Sequence, residues 1–192
     1  MLKRLYHWSM ARIAGPNGRR WLAGLSFAEA SFFPIPPDVL LLPMVLADRA
    51  RAWHLATITT LSSIAGAVLG YAIGALAREA VAEPLIRFYG QEDAYARFEA
   101  LYSDYGLLIV VAGGLTPLPF KVITIASGMA GLNPLFFLAA CVPARAPRFF
   151  AEAALLWWFG PPIRDFLERR FALALTLFTL AGLAGFALLA YL

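Results

Sequence analysis

The sequence predicts an all-α, polytopic integral membrane protein. Two opposed re-entrant helical hairpins form an inverted repeat, joined by about three full transmembrane helices and an N-terminal interfacial helix. Three observations predict this. Of 192 residues, 61% are hydrophobic and only 15% charged, against about half apolar and a quarter charged in a typical soluble domain. A core of this size cannot hide that excess, because small domains keep much of their surface exposed. The apolar stretches are also interrupted by prolines and by isolated ionisable residues, in two places that resemble each other. The length suggests a single membrane domain, 1–192.

Taken in order, residues 1–20 hold a basic N-terminal segment. Within it, 2–13 (LKRLYHWSMARI) mixes basic side chains with Leu2, Leu5, Tyr6, Trp8 and Ile13, as a helix lying on a membrane surface does. Residues 21–47 are apolar but contain Glu29, Pro34, Pro36, Pro37, Asp38 and Pro43. Proline removes a backbone donor and clashes with the preceding turn, and freed backbone groups cannot face lipid. This is therefore re-entrant hairpin 1, shaped by Pro34, Pro36 and Pro37. Residues 53–77 carry no acid, Lys or Arg and are long enough to span. Ser62, Ser63, Gly66, Gly70 and Gly74 give that helix a small-residue face for close packing.

Residues 78–104 are read as an extracytoplasmic amphipathic loop of one or two helices. Residues 105–132 are apolar and broken again, as hairpin 2, shaped by Gly113, Gly114, Pro117 and Pro119. Residues 134–159 span despite Pro143, Arg145, Pro147 and Arg148, with Trp157 and Trp158 suited to an interface. A uniformly apolar span at 171–192 ends the chain.

Charge sets the orientation. The net charge is +4, and Lys3, Arg4, Arg12, Arg19 and Arg20 crowd the N-terminus. Arg49 and Arg51 occupy one short loop, and Arg164, Arg169 and Arg170 another. In 78–104 acids outnumber bases. Lys and Arg favour the cytoplasmic side, so the N-terminus is predicted cytoplasmic, with the protein in a bacterial inner membrane. The basic start is an orientation signal, and no aromatic–basic interleaving of a nucleic-acid binder is present. No cleavable signal peptide is evident. Cys141 is alone, which excludes an intramolecular disulfide or a cysteine metal set. Neither a metal nor a cofactor is expected.

The repeat carries the functional argument. Residues 34–39 read Pro-Ile-Pro-Pro-Asp-Val and 117–122 read Pro-Leu-Pro-Phe-Lys-Val. With hairpin 1 entering from inside and hairpin 2 from outside, the repeat is inverted. Paired Gly/Pro-interrupted segments of this kind point to a binding site near the bilayer midplane. Asp38 in one copy stands where Lys121 stands in the other, so the two tips are expected to pair. Glu29, Asp38, Lys121, Arg145, Arg148 and Glu152 are the ionisable residues of the apolar segments. Each is costly there unless paired or hydrated, which makes each a functional candidate. Arg148 and Glu152, four apart, are expected to form a local helical pair. Arg145 has no such neighbour. A planar guanidinium suits a phosphate, Lys121 adds a point charge, and glycines at 113 and 114 let backbone approach an anion. The ligand class is a phosphorylated, apolar molecule: a lipid headgroup. Glu29 or Asp38, buried, are candidate proton carriers.

The motifs FAEASFFPIPPDVLLLP (27–43), GGLTPLPFKVITIASGMAG (113–131) and ARAPRF (144–149) resemble those of the DedA superfamily, also called the VTT or SNARE-associated Golgi domain, and most closely its YqaA-like branch. The resemblance implies two opposed re-entrant hairpins among spanning helices, and lipid translocation. In bacterial members this is phospholipid flipping or undecaprenyl phosphate recycling, often driven by the proton gradient; eukaryotic members are similar to scramblases. It also implies that the family's acids map onto Glu29 and Asp38 and its bases onto Lys121, Arg145 and Arg148. Two departures stand out: Gly114 and Lys121 occupy places where DedA proper usually has arginine.

The leading expectation is a flippase- or scramblase-like carrier, not an enzyme. Its partner is an anionic phospholipid or undecaprenyl phosphate, met by Lys121 and Arg145. The Gly66/Gly70/Gly74 face could serve a neighbour within the chain or a second subunit, so a homo-oligomer is one further expectation. A membrane-embedded lipid phosphatase would need a nucleophile or metal set, and His7 and His54 sit far from the hairpins in sequence. A non-transporting assembly factor has little need of buried charge.

Overall fold

The computed structural model describes residues 17–116 and 119–160. The interfacial helix expected in 1–20 (apart from 17–20), the span at 171–192, and Pro117 lie outside the described residues. The described residues form helices and connecting turns: α1 (Gly18–Ser31), α2 (Asp38–Ala47), a 3-10 turn (Arg49–Arg51), α3 (Ala52–Ala77), a π-turn (Arg78–Ala82), α4 (Glu83–Tyr89), α5 (Glu92–Leu115), α6 (Phe120–Met129) and α7, residues 134–160. Among the described residues two helices are long and apolar enough to cross a membrane, Arg49–Ala82 and Glu92–Leu115.

Both proline-rich segments are helix–break–helix. After α1 the chain runs irregularly through Phe32–Pro37, where three prolines hold φ and donate no hydrogen bond. α2 restarts at Asp38, an acid in the first turn, where the helix dipole favours a negative charge. In the second copy α5 stops at Thr116, which is extended, and α6 restarts after Pro119. α6 ends at Met129, and two residues on, Gly131 has a φ of 67° that suits a residue without Cβ. α7 then begins on Asn133, whose Oδ1 accepts from the backbone N–H of Leu135 (2.9 Å) and Phe136 (3.3 Å), with Pro134 following.

The expected boundary between a polar loop ending at 104 and an apolar hairpin beginning at 105 does not exist. α5 runs unbroken from Glu92 to Leu115. Its charges hid a helical stripe: Tyr102, Gly106, Val110 and Gly113 are buried at helical spacing, while Asp104 is exposed. Gly106 alone does not interrupt a helix that packs on one face.

α3 is the axis of the fold. A Cβ on Gly66 would strike the backbone of Phe27 in α1, and one on Gly74 the backbone of Ile125 in α6. One on Gly70 would meet both Thr124 and the Ala30 carbonyl. The glycine face is thus consumed within the chain, so it is not the oligomer surface the sequence allowed. Hydroxyls reinforce both seams: Ser26 Oγ donates to the Thr59 carbonyl (2.7 Å), and Thr124 Oγ1 to the Ala30 carbonyl (2.9 Å).

Two apolar cores flank this axis. One joins Leu22, Leu40, Leu41, Val45, Leu55 and Phe149. The other joins Ala30, Val110, Phe120, Ile123, Phe137 and Cys141. α1, α3 and α7 contribute to both, α2 to the first, and α5 and α6 to the second.

Candidate functional site: paired charges between two helix breaks

The charges lie where the two cores meet. Residues 145, 148 and 152 fall on one face of α7 by helical spacing. Opposite them stand Glu29, in the last turn of α1, and Asp38, at the start of α2. The dipole of α1 disfavours an anion at its C-terminal end, so Glu29 depends on a cation from elsewhere.

That cation is Arg145. Its Nη2 lies 2.6 Å from Glu29 Oε2, and its Nε donates to Ser63 Oγ at 2.7 Å. The guanidinium carbon sits 4.6 Å from the ring centre of Phe120 and 4.7 Å from that of Phe149. Each contact is a cation–π arrangement. Arg145 is 1% exposed and Glu29 7%. Its two aromatic neighbours come from different cores, so one side chain fastens both.

Arg148 serves the second acid. Its Nη2 donates to both Asp38 oxygens, at 3.2 and 3.1 Å, and its Nη1 to the Thr116 carbonyl at 3.4 Å. The side chains of Arg148 and Asp38 are 17% and 16% exposed. Arg148 therefore links the N-terminus of α2 in the first broken segment to the break after α5 in the second.

Two sequence expectations change here. Asp38 does not pair with Lys121 but with Arg148, because α7 brings a two-pronged donor between the breaks. Arg148 does not form its local pair with Glu152, since its guanidinium is spent on Asp38 and Thr116. Glu152 makes no ion pair among the described residues. Its Oε1 is buried with no hydrogen-bond partner.

Lys121 is half-buried in the first turn of α6, with no ion pair among the described residues. A cation there is opposed by the helix dipole. Gly113 and Gly114 are buried at the end of α5, and a Cβ on Gly114 would lie 2.5 Å from Ala144 Cβ. Gly114 lets α5 close on α7 and Gly113 lets it close on Ile123 of α6, so neither leaves open backbone for a ligand. Pro34 is exposed and Pro37 buried at the first break, and Pro119 caps α6. The sequence had marked Ser63 only as a small residue on α3, and gave no signal for Phe120 and Phe149.

The arrangement is set by two helix breaks, one polar face of α7 and a glycine-faced axis, over most of the chain. A model of the VTT domain matches residues 35–157, from the first break through nearly all of α7. The chain belongs to the VTT domain family. The resemblance read from its motifs is thus a family relationship, and VTT proteins are membrane-associated. The matched stretch includes Asp38, Lys121, Arg145, Arg148 and Glu152, with Glu29 just before it. An uncharacterised protein of Haemophilus influenzae is 34% identical over 160 residues, covering 83% of this chain and 81% of the relative. A Histophilus somni protein, described as an uncharacterised homologue of HI0703, is 32% identical over 140 residues, or 73% of each chain. No solved structure matches the chain. Within the VTT family, then, these relatives establish the kinship and leave the chemistry to be argued from the site.

Proposed function

We propose that this VTT protein carries an anionic lipid headgroup across the bacterial inner membrane, passing it between two re-entrant segments of opposite orientation. The observation that carries this reading is the pairing of Glu29 with Arg145 and Asp38 with Arg148 between the two helix breaks. Ionised groups in apolar surroundings are expensive, roughly 2.5–3.5 kcal/mol each on an insertion scale. A purely apolar contact would hold two helices as well without that cost.

Paired, Arg145 and Arg148 are neutralised in this conformation and Arg145 is closed to any ligand. Among the described residues between the two breaks, Lys121 is the cation left for a headgroup. It stands beside the N-terminal amides of α6, which themselves favour an anion. A phosphate at that position offsets both the lysine charge and the dipole, while its acyl or prenyl tail stays in the bilayer. Inverted broken segments let the site open to either face by displacement of one against the other. The same residues bind and release the headgroup without covalent chemistry, so the protein is a carrier, not an enzyme.

The test is reconstitution in vesicles of defined composition, carrying labelled anionic lipids and, in a parallel set, undecaprenyl phosphate. A headgroup-accessibility assay reads transfer between leaflets. Transfer above protein-free vesicles for at least one anionic lipid, and not for a zwitterionic control, is the expected result. Indistinguishable traces with and without protein, for every lipid, would sink the proposal.

A further inference from the structure

At one end of the fold, arginines gather without acids to meet them. α1 and α3 run in the same direction, since Arg19 meets His54, Ser26 meets Thr59 and Phe27 meets Gly66, in order along both helices. Their starts therefore lie side by side. α7 ends beside them, where Arg49 Nη1 donates to the Trp157 carbonyl at 3.3 Å. This end carries Arg19, Arg20, Arg49 and Arg51, with Asp48 as the acid among them. Asp48 is taken by Arg51 at 2.8 Å. The other three guanidiniums meet no acid among the described residues: Arg19 faces the His54 ring, Arg20 the Asn17 amide oxygen and Arg49 a backbone carbonyl. Arg78, Arg145 and Arg148, by contrast, each face a carboxylate.

We propose that this end is a docking surface for the phosphates of anionic phospholipids, which stay in their leaflet and are not carried. The aromatic neighbours favour a lipid over a soluble anion. Trp21, Trp53, Trp157 and Trp158 are 42%, 45%, 42% and 67% exposed here. The Trp53 ring centre lies 6.2 Å from that of Phe150 and 6.4 Å from that of Trp157. Indole rings settle at headgroup depth, apolar body inward and N–H towards water. These rings stand at the end of Arg49–Ala82, a helical run long and apolar enough to cross a membrane. Arginines beside them, such as Arg20 next to Trp21 and Arg51 near Trp53, are then at phosphate depth. There a planar guanidinium can donate two parallel hydrogen bonds to one phosphate.

The local charge balance agrees. Gathered arginines repel one another, and neither α1 nor α3 offers an acid in its first turn to offset them. Phosphates in the adjoining leaflet supply the missing countercharge. Attraction to an anionic surface favours association about fivefold per arginine at low salt. The surface uses none of the residues between the two breaks, and Lys121 lies apart from it at the start of α6. It therefore does not rest on the transport reading above.

The chain carries its own reporter. Four of its five tryptophans belong to this end, and the fifth, Trp8, lies in the basic segment before it in the sequence. The full-length protein is reconstituted in phosphatidylcholine vesicles doped with phosphatidylglycerol or phosphatidylcholine brominated near the headgroup. Brominated phosphatidylglycerol should quench indole emission with an apparent association at least about twofold stronger than brominated phosphatidylcholine. The preference should vanish in about 1 M salt, where the screening length falls to about 3 Å. Replacing the exposed Arg19, Arg20 and Arg49 together by glutamine should abolish it while leaving the circular dichroism spectrum unchanged. Lys121→Ala should keep it. Equal quenching of the wild type by both lipids would overturn the proposal, whatever a transport assay reads. So would a preference that survives the triple substitution, or one lost in Lys121→Ala, since the anionic lipid would then sit at the transport site. If the triple variant does not fold, the salt titration of the wild type decides. A preference unmoved by salt refutes a surface held by exposed charge.

Discussion

Removing the Glu29 carboxylate while leaving Arg145 in place is the most demanding test of the buried pair. In Glu29→Ala the guanidinium keeps Ser63 and two aromatic faces but loses its anion at 2.6 Å. Arginine cannot shed its charge in a protein. Stranding it should cost ~3–5 kcal/mol, the range for breaking a buried ion pair from one side. The reverse change, Arg145→Met, strands the Glu29 carboxylate instead. It loses the two ring contacts, at about 0.5–2 kcal/mol each, and the anchor between the two cores. The double substitution Glu29→Met with Arg145→Met removes both charges and should be less destabilising than Glu29→Ala alone. Equilibrium unfolding in mixed detergent micelles, read by far-UV circular dichroism, gives the three energies and their coupling, expected at ~2–3 kcal/mol. A Glu29→Ala variant within ~1 kcal/mol of wild type, or a double variant matching the sum of the singles, would refute the pairing argument.

Three other outcomes follow from the same geometry. Lys121→Ala should leave unfolding within about 0.5 kcal/mol of wild type, since the side chain has no partner among the described residues. It should weaken headgroup binding ~10- to 100-fold, the worth of one charged hydrogen bond, read as a raised half-saturating lipid concentration. Gly66→Ala and Gly74→Ala, whose new methyls meet the backbones of Phe27 and Ile125, should each cost ~1–3 kcal/mol. Gly24→Ala, with nothing within 4 Å, should be neutral or stabilise by up to ~1 kcal/mol in the same unfolding titration. Thr124→Val removes the 2.9 Å bond to the Ala30 carbonyl and should cost about 1 kcal/mol, with faster amide exchange at the end of α1.

Much of this architecture was legible because proline and glycine act locally. Three prolines in four positions stop a helix whatever surrounds them, so the break between α1 and α2 could be read directly. The uncharged run of 53–77 likewise gave α3 to within a residue. What the sequence could not reveal is which distant charges meet. Asp38 and Lys121 share a place in the repeat, yet the partner of Asp38 lies 110 residues away on α7, and only packing decides that. Helix α5 was misdivided for a related reason. Glu92, Asp93, Arg97 and Asp104 are exposed and Glu99 pairs with Arg78, so composition changed along the chain where the backbone did not. The local pair expected between Arg148 and Glu152 failed for the same reason: the guanidinium turns to Asp38 on α2 instead.

The glycine strip of α3 has a mechanical consequence. Peptide backbone lies directly against peptide backbone at Gly66 and Gly74. Such a track resists separation, because the contact is close along its length, but it offers little friction to shear. Displacing α1 against α6 and α7 would have to rupture the Thr124 link and the Arg145 clasp on Glu29, yet leave the rail itself in register. The chain has thus put its strength into a few polar latches and left the long apolar axis smooth.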